Sequence, residues 1–361
     1  MTFDDVLVII NGRNQRAVEN PNGKYPIYGS GGIMGYADSY ICEADTVVIG
    51  RKGSINNPIF VEEPFWNVDT AFGLAAKREL LLPRYLYYFC RNFDFERLNK
   101  AVTIPSLTKS DLLKIEITLP TLEIQEDVVN KLRKVERIIQ ARKQQLQKLD
   151  ELVKARFVEL FGDPVTNPKG WTTKPLLDMG YCKNGMNFHA GDSGMEVNCL
   201  GVGDFQNLSV IDGTAHLPVI SLNEAPPEES MLRDGDIVFV RSNGNKALVG
   251  RCLIVYPRNT PTTYSGFCIR YRLTSNEVDT TYLLRVLKTD SIRKKMAGRG
   301  ANIQNLNQQI LAALDIPLPP IEQQQQFAAF VKQTGKSKAA IQKALDEAQL
   351  LFDGLMQKYF G

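Results

Sequence analysis

The chain has 361 residues, 43% of them apolar and 23% charged, with a formal net charge of +3. Those values describe a folded globular protein of about two to three domains and exclude a disordered chain. They also exclude nucleic-acid binding through bulk charge, so any such binding must rest on local clusters: Arg51-Lys52, Arg241 with Lys246, and Arg293-Lys294-Lys295 followed by Arg299.

Residues 1–118 carry short apolar runs (Val6 to Ile10, Thr46 to Ile49, Ile59 to Val61) broken by Asn, Gly and Pro, the pattern of short strands and turns. One helix is expected from Pro83 to Leu98, where Tyr85, Tyr88, Phe89 and Phe93 recur at helical spacing. Residues 119–162 form a second kind of segment. Val128, Leu132, Val135, Ile139, Arg142, Leu146, Leu149, Val153, Arg156 and Leu160 advance by alternating steps of four and three, an a/d heptad seam. A helix from Leu122 to Phe161 at ~1.5 Å per residue is a rod of roughly 60 Å.

Residues 163–317 return to the first texture, with a loop from Asp163 to Gly170, strands at Asp236 to Val240 and Cys252 to Val255, and a helix from Thr281 to Met296. Residues 318–361 then repeat the seam at Phe327, Val331, Thr334, Lys338, Ile341, Leu345, Ala348, Phe352, Leu355 and Tyr359. The polar seam residues Arg142, Arg156, Thr334 and Lys338 suit a register-setting role. Each rod is announced by Leu-Pro (Leu119-Pro120, Leu318-Pro319) and ended by Gly162 or Gly361.

A single shift of 199 positions carries Phe161-Gly162 onto Phe360-Gly361, Leu119-Pro120 onto Leu318-Pro319, Glu123 onto Glu322 and Gln125 onto Gln324. This spacing is far longer than a solenoid unit and points to two copies of a whole domain plus a helix. The expected fold is α+β: two similar globular domains separated by two long antiparallel helices in a coiled coil, related by a pseudo-two-fold axis. A heptad seam alone serves self-association as readily as spacing. Two related but diverged heads favour spacing.

Catalytic patterns are sparse. His189 and His216 are the only histidines and stand near no triad or metal cluster, so no catalytic residue and no metal site is assigned. The six cysteines contain no C-x-x-C pair, which argues against a zinc site or a disulfide framework and for a reducing compartment. MTFDDVLVII has no basic leader and no apolar run nears the roughly 18 residues of a membrane span, so a cytoplasmic location is expected. Tyr28-Gly29-Ser30-Gly31-Gly32 lacks the Gly-Lys-Ser/Thr of a P-loop and reads as a tight turn. Asn57-Pro58-Ile59-Phe60 is similar to the Asn-Pro-Pro-Phe of amino-methyltransferases, but Ile replaces the second proline and no donor-binding glycine loop precedes it.

Two loops have the chemistry of recognition. Arg51, Lys52 and Ser54 follow the strand at Thr46, and Arg241, Ser242, Asn243, Asn245 and Lys246 follow the strand at Ile237, each strand introduced by an Asp (Asp45, Asp236). These side chains bond phosphates and base edges, and the interleaved glycines let a backbone approach closely.

Taken together, IPSLTKSDLLKIEITLPTLEIQEDVV, IQNLNQQILAALDIPLPPIEQQQQF, YPIYGSGGIMGY and GDIVFVRSNGNKALVGR make the chain resemble the specificity (S) subunit of type I restriction-modification systems, over nearly its whole length. The resemblance implies target-recognition domains at 1–118 and 163–317, each reading one half of a split, asymmetric DNA sequence. Spacer helices at 119–162 and 318–361 would pack through Val128, Leu132, Val135, Ile139, Leu146, Leu149 and Val153 against Ile341, Leu345, Phe352 and Leu355. It implies a noncatalytic subunit that binds double-stranded DNA, modification (methyltransferase) subunits and ATP-dependent restriction subunits. S-adenosylmethionine, ATP and magnesium would be held by those partners. DNA contacts would fall to Arg51, Lys52, Ser54, Arg241, Ser242, Asn243, Asn245, Lys246 and Arg299. The alternative reading is a coiled-coil scaffold with two protein-binding heads.

Overall fold

The computed structural model describes residues 1–99, 104–189, 191–206, 208–297 and 305–361. It falls into two compact units: Met1–Gln145 with Ile341–Gly361, and Leu146–Ala340. Each unit therefore takes in part of both long helices.

In the first unit the chain runs α1 (Phe3–Val6), β1 (Leu7–Asn11), β2 (Tyr25–Gly29), β3 (Gly32–Ala37), β4 (Thr46–Gly50), β5 (Ile59–Val61), β6 (Trp66–Asn67), β7 (Ala71–Ala76), α2 (Pro83–Asn92), α3 (Lys109–Leu112) and the start of α4 (Leu122–Phe161). A four-stranded antiparallel sheet has the order β1-β7-β4-β5, and a smaller sheet has the order β3-β2-β6. β4 is buried from end to end because both its faces are covered. Val47 and Ile49 join the core under the helices, while Val48 joins the core shared with the smaller sheet. Val6, expected in a strand, closes α1 instead.

The second unit holds the rest of α4, then β8 (Thr173–Pro175), β9 (Gly180–Asn184), β10 (Met195–Leu200), β11 (Val210–Asp212), β12 (Val219–Leu222), β13 (Asp236–Val240), β14 (Cys252–Tyr256), β15 (Thr262–Tyr264), β16 (Cys268–Leu273), α5 (Thr280–Leu287), α6 (Asp290–Ala297), α7 (Gln308–Ala312), β17 (Asp315–Pro317) and the start of α8 (Ile321–Phe360). Its main sheet, β11-β14-β13-β16-β9, repeats the first unit's β5-β4-β7-β1 with β11 added beyond β14, and β12-β10-β15 repeats β3-β2-β6. The directions match as well, since β2–β6 and β10–β15 are the parallel pairs of the smaller sheets. The offset grows from 170 residues between the starts of β2 and β10 to 187 between those of β3 and β12. The extra length of the second head is therefore concentrated around β11.

Both short helical expectations are corrected by side-chain caps. The helix expected over Pro83 to Leu98 ends at Asn92; Phe93 is extended, and Asp94 accepts from the Glu96 N–H to start a separate 3-10 turn. The helix expected over Thr281 to Met296 splits at Thr289, whose hydroxyl donates to the Val286 carbonyl and accepts from the Ile292 N–H.

α4 and α8 are 40 residues each. The Gly162 that follows α4 has φ +75, and a Cβ there would lie 2.5 Å from Pro168, so glycine is required at this helix end. Val128, Leu132, Val135 and Ile139 are buried in one core with Ala348, Phe352 and Met356, and Leu345 and Leu355 pack half-buried against it. Leu146, Leu149, Val153 and Ile341 are only half-buried, Val153 at the edge of the second unit's core. The helices run antiparallel. In the second unit Phe157 meets Phe327 at 5.6 Å between ring centroids, and further back along α4 Asp150 pairs with Lys338 at 2.8 Å. In the first unit Lys131 faces Tyr359, and Arg91 links Glu136 to the ring of Phe352. Of the polar seam residues, Thr334 is buried with its hydroxyl donating to the Phe330 carbonyl, and Lys338 makes the pair with Asp150.

A repeated glutamine ties each head to a helix. Gln125, fully buried, donates to the carbonyls of Leu80 and Pro120 and accepts the N–H of Leu82, the N-cap of α2. Gln324 donates to Glu277 and Pro319 and accepts the N–H of Asp279, the N-cap of α5. The aromatic lock repeats too: Tyr85 packs on Phe360 at 4.9 Å and Tyr282 on Phe161 at 4.8 Å.

Candidate nucleic-acid interface

Each of the two arginine-led loops leaves the end of a fully buried central strand. After β4, the N–H groups of Arg51 and Lys52 both donate to the Thr70 carbonyl, at 2.8 and 3.2 Å, and the Arg51 carbonyl accepts from Leu107 at 2.9 Å. After β13, the N–H groups of Arg241 and Ser242 both donate to the Phe267 carbonyl, at 2.8 and 3.3 Å, and the Arg241 carbonyl accepts from Leu306 at 2.9 Å. Thr70 and Phe267 stand just before β7 and β16, the equivalent strands of the two heads. Two arginines followed by unlike loops thus occupy the same backbone position, held by the same three hydrogen bonds.

The side chains differ. Arg51 is exposed, its guanidinium 5.7 Å from the Phe72 ring centroid; Arg241 is half-buried and donates from Nη1 to the Gly266 carbonyl at 3.3 Å. Lys52 and Ser54 share the exposed turn with Arg51, where Lys52 bridges to Ser106 and Gly53 turns with φ +81. In the second loop Asn243 accepts from the Asn245 N–H and Asn245 from the Ala247 N–H, so both amide oxygens shape the turn. Ser242 is half-buried and Lys246 exposed on the same turn. Arg299 lies outside the described residues.

The structure adds residues that were not singled out. Phe267 is 62% exposed beside Arg241, with Phe188 37% exposed on a neighbouring segment joined through the Gly266 N–H to Met186 carbonyl bond of 2.7 Å. In the first head the position of Phe267 is Thr70. The tight turn at Gly29 to Gly32 is the tip of the β2–β3 hairpin, with exposed Ile33 and Met34 beyond it. Its Ser30 abuts Gly50, where an added Cβ would lie 2.9 Å from the Ser30 Cβ. Only the pairing of strands brings these residues to the loops, so spacing along the chain carries no signal for them.

The two introducing aspartates are not equivalent. Asp236 opens β13, is 2% exposed, and receives Arg272 Nε at 2.8 Å, Arg272 Nη2 at 2.7 Å and the Arg233 N–H at 2.7 Å. The matching residue of β4 is Thr46, whose hydroxyl donates to the Glu43 carbonyl at 2.8 Å; Asp45 precedes the strand in the left-handed region and pairs with Arg78 at the surface. All six cysteines are free thiols, and burial pushes Cys42 and Cys182 up to about 12 and Cys252 to about 11, which keeps them protonated and unreactive at neutral pH. Among the described residues no His, Cys, Asp or Glu group is placed to hold a metal ion, and no helix is long and apolar enough to cross a membrane.

The sequence matches the family described as the type I restriction modification DNA specificity domain over residues 1–151 and 168–349. The chain belongs to the type I restriction-modification DNA specificity family. Among its relatives in that specificity family, the type I restriction enzyme StySPI specificity subunit of Salmonella potsdam is 24% identical over 332 residues, covering 85% of this chain and 70% of the relative. A putative type I restriction enzyme specificity subunit of Haemophilus influenzae is 26% identical over 133 residues, covering 35% of this chain and 34% of its own length. The fold is that of the S subunit of a type I restriction-modification system from M. genitalium, at TM-score 0.65 and 16% identity over 100% of this chain and 95% of that one. A second solved chain, from a study of complex assembly and conformational transition of the type I R-M system, aligns at TM-score 0.59 and 17% identity, over 100% and 96%.

Proposed function

We propose that this specificity subunit of a type I restriction-modification system reads a bipartite, asymmetric DNA target, one half-site through each head, with α4 and α8 setting the unread spacer. The observation that carries the reading is the pair of equivalent arginines, Arg51 and Arg241, at matched ends of β4 and β13 in heads of the same topology but different surface. A shared scaffold with unlike loops is what two unlike half-sites require. Arg51, Lys52 and Ser54 serve one half; Arg241, Ser242, Asn243, Asn245 and Lys246 serve the other, with Arg299 following α6.

In this reading the chain carries no chemistry of its own. Modification subunits dock at the head and helix junctions, hold S-adenosylmethionine and methylate each half-site. Restriction subunits use ATP and magnesium to translocate and cleave. Low net charge fits a subunit whose partners supply much of the phosphate-neutralising surface.

Co-expression with the cognate modification subunit, followed by genome-wide mapping of methylated bases, is expected to return one motif of two specific halves around a fixed gap. A single contiguous motif, or no methylation together with no salt-sensitive duplex binding, contradicts the reading and favours a scaffold with protein-binding heads.

A further inference from the structure

Beside the second loop lies a pocket of about 270 Å³ whose charged lining is entirely cationic: Arg251, Lys288 and Arg293, over Phe205 and Cys252. Each cation is tethered. Arg251 Nη1 donates to the Gln206 carbonyl at 2.9 Å, Lys288 Nζ to the Leu208 carbonyl at 3.2 Å and Ser209 Oγ at 2.8 Å, and Arg293 Nη2 to the Val249 carbonyl at 3.1 Å. All three keep further donors, because a guanidinium has five N–H bonds and an ammonium three. The carboxylates that act on Lys288 and Arg285 do not line the pocket: Asp150 acts on both and Asp290 on Arg285. The Arg285 Nε behind the pocket is buried with no hydrogen-bond partner. Burial, with Arg285 and Arg251 close by, holds the Lys288 ammonium below its usual range. Three positive groups brought this close repel one another, and an anion among them would be held by their remaining donors.

The pocket is one strand from the reading loop. Val240, the residue before Arg241, donates to the Arg251 carbonyl at 2.8 Å and accepts from the Gly250 N–H at 2.8 Å, and Arg293 holds the adjoining Val249. We infer that Arg251, Lys288 and Arg293 form a phosphate site that takes one backbone phosphodiester of the DNA flanking the second half-site. This rests on the reading of the chain as a DNA specificity subunit. The contact positions the head without reading sequence.

The test compares wild type with Lys288→Met/Arg293→Gln in the complex with modification subunits, on a duplex carrying the mapped motif. The slope of log K against log salt is expected to fall by about 0.9, the release expected for one phosphate contact, while both half-motifs stay the same. Ethylation interference on the wild-type complex should mark one phosphate beside the second half-site, which makes this readout independent of whether the variant folds. An unchanged slope, an altered half-motif, or no marked phosphate there overturns the inference. So does tight binding of inorganic phosphate with no effect on DNA, which assigns the pocket to a free anion, or loss of assembly with the modification subunit, which assigns it to an acidic protein segment. If the wild-type complex shows no salt-dependent DNA binding at all, the functional reading itself fails.

Discussion

Asp236→Ala is expected to destabilise the second unit by about 3–5 kcal/mol, measured by urea unfolding. Asp236 and Arg272 are 2% and 8% exposed, joined by two hydrogen bonds of 2.8 and 2.7 Å, with the Arg272 Nη2 also reaching the Met231 carbonyl at 2.9 Å. Removing the carboxylate leaves a buried guanidinium without its counter-charge. The Met231 carbonyl would remain, but a carbonyl does not replace the carboxylate's charge. Arg270, two residues along the same face of β16, is already fully buried over the Tyr181 ring at 5.1 Å, with none of its guanidinium nitrogens in a hydrogen bond of ordinary geometry. The double variant Asp236→Ala/Arg272→Met should recover much of the loss, because it removes both charges together. The corresponding change in the first head, Thr46→Ala, deletes one hydroxyl bond and should cost about 1 kcal/mol. Equal costs in the two heads would show that the Asp236–Arg272 pair is not what holds the second sheet to the segment before β13.

Arg241→Ala is expected to weaken recognition of one half-site by about 1–3 kcal/mol and leave the other untouched. The backbone of Arg241 is fixed by the Phe267 and Leu306 bonds, which the substitution keeps, so the loop should hold its shape. What is lost is a half-buried guanidinium on the Gly266 carbonyl, beside an exposed Phe267. Arg51→Ala should produce the reciprocal loss at the other half-site. Binding to duplexes with either half scrambled separates the two effects. A loss shared equally between the halves would mean that these arginines serve assembly or general phosphate binding instead of reading.

The long helices were legible because their signal is local and periodic: the seam, the Leu-Pro entries and Gly162 all lie within the segment they define. Buried residues that lie off the seam carry no such periodic signal. Phe157 and Met356 are buried off the seam, Phe157 stacking on Tyr282. The head topology was not legible. β4 and β13 are covered on both faces, so they read as unbroken apolar runs with no alternation to assign a side. Gln125 and Gln324 stood out as repeat positions, but their partners, the carbonyls of Leu80 and Glu277, are contributed by turns some 45 residues away in sequence. The two arginine loops were found by composition and by following similar strands. Thr70, Phe267 and the basic pocket required strand pairing to be known. Helix breaks at Phe93 and Thr289 were missed because a single capping side chain decides them.

If α4 and α8 set the unread gap between the half-sites, as proposed, lengthening both helices must lengthen that gap. Matched four-residue insertions within Gln140 to Leu149 of α4 and at the facing stretch of α8 lengthen both rods by ~6 Å. At ~3.4 Å per base pair, methylation mapping of the resulting complex should return the same two half-motifs with a gap longer by about two base pairs. An active complex whose gap is unchanged, or whose half-motifs change, would contradict the spacer role of these helices.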